Sequence, residues 1–371
     1  MTATIDRPND TAAPSPFAPP VDTVTDTPRV LNSRTPDDAL SFWGSLVGSG
    51  ALVWLLYTQI LPFSGRIGFV VCWFIAFLVM YAGVTAMGNP RNVVVDRLMS
   101  AIVRSGALLV FGTLATAVVF TFMRGVEALT NVNFFTDDMA GVRPTSTLDN
   151  GGILHAIVGS LIEVGLAVIV TLPLGIGCAV YMNEVGGKFS KVVRTIVEAM
   201  TALPSIVAGL FIYTTLIVTL GISRTGIAAA AAIGVMMLPI IARSADVVLR
   251  VMPGGLREAS LALGASKWQT VKQVVLPTVR PGLATALILG IARGVGETSP
   301  VLLTSGASTY FNANPTNEPM NSLPLFVFSA VRSGEPLFIA RGFGAAIVLL
   351  LLVLILFIIT RFLARQKVGR R

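Results

Sequence analysis

Long apolar runs separated by short polar clusters set the rhythm of this chain. Eight stretches approach or exceed the roughly 20 apolar residues that a bilayer core requires of a helix. They cover about 43–63, 66–86, 105–123, 154–182, 200–220, 225–249, 281–303 and 341–361. The pattern predicts an all-α integral membrane protein with about eight transmembrane helices. Ser64, Gly65 and Arg66 read as a tight hairpin between the first two. The fourth stretch is overlong, so it tilts or emerges from the bilayer before Glu184. Pro204 is expected to bend or unwind the fifth near its start.

Composition agrees with lipid as the solvent. Hydrophobic residues make up 54% of the chain and charged residues 12%, against about 25% charged in a typical soluble domain. The net charge of +8 sits beside apolar segments rather than in a basic cluster with interleaved aromatics, which argues against nucleic acid. With the N-terminus inside, nineteen Lys and Arg fall on inner segments and six on outer ones, so the positive-inside rule places both termini in the cytoplasm. Residues 1–40, rich in Pro, Thr, Ala and Asp, read as a disordered cytoplasmic tail and not as a cleavable signal peptide. Cys72 and Cys178 lie in separate apolar runs, which gives a disulfide framework no support, and His155 is the only histidine, which argues against His-based metal sites and Ser-His triads. Two long outer loops, about 124–153 and 304–340, carry Phe134, Phe135, Asp137 and Asp138 in one and Tyr310, Phe311 and Asn312 in the other. They read either as solvated connectors or as docking surfaces for an external partner.

The inner segment 250–277 has a different character. Pro253 and Gly254 break the preceding helix, and Arg257 to Gln273 reads as one amphipathic helix or two short ones. Leu256, Leu261, Leu263, Trp268 and Val271 are too interrupted to span lipid, while Ala259, Ser260, Ala262, Gly264 and Ala265 permit close approach of another backbone. By composition alone, the segment fits either a lipid-surface helix or a protein-docking helix. Its residues Glu258-Ala259-Ser260, then Gly264 and Leu276-Pro277, resemble the EAA loop of bacterial ABC-importer permeases. That resemblance implies a coupling helix seated in a cytoplasmic ATPase, with Glu258, Ala259 and Gly264 at the contact.

Further stretches resemble the phosphate-specific permeases of the PstA type: GGILHAIVGSL (151–161), LPLGIGCAVYMNE (172–184), ALPSIVAGLFIY (202–213), LPIIARSADVVLRVMP (238–253) and ARGVGETSPVLLTSG (292–306). The likeness covers about 97–364. It implies a six-helix permease core there, a two-helix extension at 41–96 and a basic cytoplasmic tail at 365–371. It also implies a bacterial plasma-membrane complex with a homologous permease of the PstC type, a cytoplasmic ATPase dimer of the PstB type and an external phosphate-binding protein of the PstS type. Gly186-Gly187-Lys188 fails the phosphate-loop pattern, so ATP and magnesium are expected on the separate ATPase, with no cofactor or metal and no catalytic residue on this chain.

Two cations interrupt the apolar runs. Arg293 lies midway along the seventh stretch and Arg243 in the inner half of the sixth; burying such a charge costs about 2.5–3.5 kcal/mol even on a lenient scale. Glu297 follows Arg293 by four residues and Asp246 follows Arg243 by three, spacings that place each acid on the face of its arginine. Each pair either neutralises itself or lines a phosphate pathway, since a guanidinium binds phosphate bidentately. The resemblance favours the pathway for Arg243, Arg293 and Glu297; at Asp246 the family more often has Glu. A neighbouring acid would moderate the attraction so that the anion can leave. Glu163 is a lone intramembrane carboxylate with no evident partner. Gly159, Ser160, Gly165, Gly175, Gly177, Ser205 and Gly209 read as helix-packing positions. Rival readings are a permease for molybdate or sulfate and, in another class, an ion-coupled secondary transporter or a membrane signalling scaffold.

Overall fold

The apolar runs fold as helices whose backbone groups are satisfied within each segment, as a bilayer demands. The computed structural model describes residues 36–60 and 65–364. Most of the expected N-terminal tail, Ser64 of the hairpin and the basic C-terminal tail lie outside the described residues.

In chain order the helices are α1 (Pro36–Leu55), α2 (Arg66–Ala86), α3 (Arg91–Leu129), α4 (Asn133–Thr136), α5 (Leu154–Val180), α6 (Gly187–Thr201), α7 (Ser205–Ile212), α8 (Gly226–Val251), α9 (Gly254–Ala262), α10 (Lys267–Thr270), α11 (Leu276–Val295), α12 (Ser299–Thr304), α13 (Leu323–Arg332) and α14 (Pro336–Ala364). Wider π-helical turns extend α1 to Ile60, α5 to Val185 and α7 to Thr219, and join α10 to α11 through Val271–Val275. Among the described residues there is no strand, only an isolated bridge between Gly306 and Met320. Among the described residues seven helices are long and apolar enough to cross a membrane, or eight if α6 and α7 are counted as one broken span.

The fifth expected span is where pattern and structure part. Its apolar helix starts at Ser205, and α6 before it is bent away by 106°. Pro204 sits in extended conformation at the break, where its missing amide cannot continue the α6 ladder. The third span is longer than expected, 39 residues, because Asp96, Arg97, Arg104 and Glu127 at its ends are tolerated in a helix once outside lipid. The expected outer loop 304–340 contains α13, whose Leu323, Leu325 and Phe326 are buried.

The chain divides into two compact units inside α3, at Gly112 and Thr113. In the first, Phe42 and Leu46 of α1 pack on Phe77, Leu78 and Tyr81 of α2 with Ala101 of α3, and Asp38 pairs with Arg97. In the second, α8 is sandwiched by α5 and α11 around the fully buried Ile241. A Cβ at Gly175 of α5 would meet Ile241 Cγ2 at 2.8 Å, and one at Gly290 of α11 would meet its Cγ1 at 2.6 Å. Small residues thus set the helix separation, because dispersion between close backbones substitutes for a hydrophobic drive that lipid does not supply. Gly159 and Gly209 are packed likewise, against Asn321 and Pro300, whereas a Cβ at Gly165 or Gly177 meets nothing within 4 Å.

Candidate translocation and coupling site

The seventh apolar stretch is not one continuous helix. α11 ends at Val295, Gly296 turns out of helical geometry, and α12 restarts at Ser299 with Pro300 in its first turn, a position where the missing proline amide is harmless. Arg293 is in the last turn of α11 and Glu297 in the break. Arg293 Nη1 stands 2.7 Å from Glu297 Oε1; the arginine side chain is 47% exposed and the glutamate 4%. The expected pair therefore forms, with its cationic half open to the surroundings and its acid buried beneath.

The second expected pair does not form. Asp246 is buried, but it accepts hydrogen bonds from Asn183 Nδ2 at 2.7 Å, Arg194 Nη2 at 3.2 Å and Arg250 Nη2 at 2.5 Å. Arg243 is exposed on α8 and makes no ion pair among the described residues. The short aspartate arm faces α5 and α6 and takes the donors those elements and the next helical turn supply, so spacing alone misassigned its partner.

Glu163 is fully buried in α5, with Oε1 2.8 Å from Ser305 Oγ. The same hydroxyl is bonded to the Met320 carbonyl. Ser305 thus ties Glu163 of α5 to the segment that leads into α13. Ser160, one turn earlier, accepts the Leu323 amide at 2.7 Å and so anchors the start of α13.

At the Phe311 end of this unit the two long loops are tied to each other. The Met139 amide donates to Thr309 O at 2.9 Å and the Phe311 amide to Asp138 Oδ2 at 2.8 Å. Desolvation works to raise the Asp138 carboxyl, but the Ala140 and Phe311 amides hold it below its ordinary value. Phe134 is core, not docking surface, while Phe135, Tyr310 and Phe311 are exposed. Arg341 is entirely buried and donates to the carbonyls of Ser146, Thr147 and Asn150, pinning the first loop to α14; sequence spacing gave no sign of it.

The segment 250–277 is two short helices, α9 and α10, meeting at Gly264. Gly264 has φ +83°, the left-handed conformation that terminates a helix and that a Cβ disfavours. Ser266 and Gln269 cap α10 reciprocally, and the Ser260 and Thr270 hydroxyls meet at 2.9 Å. Glu258, Ala259 and Gly264 are exposed, as are Leu263 at 90% and Trp268 at 68%.

A bundle of membrane-length helices with a broken span and an exposed, glycine-jointed helix pair matches a known class. Residues 171–368 match the family described as binding-protein-dependent transport system inner membrane component, more than half of the chain, and the chain belongs to that family. The particular relatives narrow it. The phosphate transport system permease protein PstA 1 of Mycobacterium tuberculosis is 39% identical over 231 residues, 62% of this chain and 74% of that protein. The phosphate transport system permease protein PstA of Haemophilus influenzae is 31% identical over 257 residues, 67% of this chain and 87% of its own length. A solved bacterial alginate ABC transporter, in complex with an alginate pentasaccharide-bound periplasmic protein, shares the fold at TM-score 0.51 and 17% identity, over 76% of this chain and 99% of that one.

Proposed function

We propose that this chain is the PstA-type permease subunit of an ATP-driven importer of inorganic phosphate. The observation that carries the reading is the Arg293–Glu297 pair at the break between α11 and α12, in a chain whose relatives are phosphate permeases. A guanidinium half open to its surroundings offers a planar fork of donors to a tetrahedral oxyanion, and the buried acid beneath it keeps the site from becoming a trap. Arg243 supplies a second cation on the same path, and Asp246 holds the helix ends around it. A homologous permease of the PstC type completes the conduit, and a PstS-type binding protein delivers phosphate at the Phe311 end. Two PstB-type ATPase subunits receive α9 and α10 on the cytoplasmic side, through Glu258, Ala259 and Gly264. Both termini are cytoplasmic, ATP and magnesium bind the ATPase, and this subunit carries out no covalent chemistry.

The test is uptake of radiolabelled phosphate by a strain lacking its own permease and supplied with this chain and its partners. Arg293→Gln should abolish uptake while the complex still co-purifies. Uptake that proceeds unchanged in that variant, or that sulfate and molybdate compete for equally, would refute the assignment.

A further inference from the structure

One polar network joins α5, α6, α8 and α9 at the Gly264 end of the bundle, and its link to α9 lies outside the phosphate pathway. Asn183 and Glu184 are consecutive in the π turn that ends α5. Asn183 donates to Asp246 of α8 at 2.7 Å. Glu184 Oε1 accepts from Arg257 Nε of α9 at 2.9 Å. The same guanidinium donates through Nη2 to Leu249 O at 2.8 Å and through Nη1 to Met252 O at 3.5 Å, the carbonyls left open where α8 stops. A cation at a helix C-terminus also meets the negative end of its dipole.

One side chain of α9 thus grips the end of α5 and the end of α8. Seventy-three residues separate Glu184 from Arg257, and no other ion pair among the described residues joins α9 to α5. The pair is sheltered, with side chains 24% and 15% exposed, so salt screens it less than a surface bridge. Above it, α5 and α8 are locked at Gly175 and Ile241. A displacement of α9 therefore has a hydrogen-bonded route into two spanning helices at once, and packed elements of this kind shift as bodies rather than deform.

We propose that Arg257 is a positioning residue, the latch through which movement of the ATPase at α9 is carried into α5 and α8. The proposal rests on the reading of α9 as the ATPase-docking helix. Its test is the ratio of phosphate taken up to ATP hydrolysed, measured on the complete complex with its binding protein in proteoliposomes. Arg257→Gln should keep the ATPase rate within about twofold and lower the ratio about tenfold. Glu184→Gln should do the same, and the double variant should be no worse than either single one, the signature of two residues acting as a unit. Arg257→Lys, which keeps the charge but not the fork, should recover part of the ratio. An unchanged ratio in Arg257→Gln, a parallel loss of hydrolysis and uptake, strictly additive losses in the double variant, or failure of the variant to retain the ATPase would each overturn it. A native complex that moves another oxyanion instead would sink the phosphate assignment alone, and the ratio would then be read with that solute.

Discussion

Replacing Glu297 with Gln isolates the role of the acid in the Arg293 pair, because the side chain keeps its size and loses only its charge. Two unit charges about 4 Å apart interact by about 4 kcal/mol at an effective dielectric of 20. Arg293 is 47% exposed, so solvent should reduce that to roughly 1–2 kcal/mol felt by an incoming anion. At 1.4 kcal/mol per tenfold, phosphate should be held about 5- to 30-fold more tightly once the competing carboxylate is gone. The KM for uptake should therefore fall and the maximal rate fall with it, because release becomes slow. Initial rates of radiolabelled phosphate uptake against concentration, in proteoliposomes of the intact complex, read both quantities. A KM that rises, or a maximal rate that is unaffected, would refute the view that Glu297 moderates an anion site; it would leave the pair as a self-neutralising structural contact.

Three further outcomes are expected. Gly290→Ala places a methyl 2.6 Å from Ile241 Cγ1 and 2.9 Å from its Cδ1 and should destabilise the purified complex by about 1–3 kcal/mol, seen as a lowered thermal midpoint; adding Ile241→Val, which removes Cδ1, should recover part of it, and no shift in the single variant would contradict the tight seam. Glu163→Gln retains an acceptor oxygen for the Ser305 hydroxyl and should change stability by less than about 1 kcal/mol, whereas Glu163→Ala leaves a void and a broken chain and should cost about 2–4 kcal/mol; equal midpoints for the two would remove the hydrogen-bond argument. Asp138 has a folded pKa held below its ordinary value, so its contribution to loop docking should be complete above about pH 4, where the unfolded carboxyl is ionised. It should vanish as the pH falls through the lower folded value. Hydrogen-exchange protection of the Phe311 amide should drop on acidification in the native chain and be less pH-sensitive in Asp138→Asn; identical profiles would contradict this.

Most of the architecture was legible because the membrane imposes a length rule that runs of Leu, Ile, Val and Phe must obey. Seven of the expected spans correspond to single long helices or to a helix with one break, and Pro204 announced the bend that shortened the other. The α11–α12 break was less visible, since Gly296 and Pro300 sit inside an otherwise apolar run. Helix spacing predicted the Arg293–Glu297 pair because the two lie only four residues apart, and the chain carries Glu297 back to its arginine although α11 ends between them. It failed at Asp246, where Asn183 and Arg194 approach from elements more than fifty residues away, and it could not find Arg257–Glu184 or Arg341 for the same reason. Local periodicity says which face a side chain occupies, and nothing about which distant segment will be laid against that face. The buried Glu163 was conspicuous as a charge among apolar neighbours, yet its partner Ser305 lies 142 residues on.

The shortness of α7 has a consequence for the permeability barrier. Its eight residues and the seven of its π turn reach at most about 22 Å at 1.5 Å per residue, well under the roughly 30 Å of hydrocarbon. Lipid beside it must thin, or water must enter one end, to relieve the mismatch. The subunit thus carries a short apolar segment in its wall, where Gly209 abuts Pro300 of α12, and the two broken elements of the bundle meet at that point.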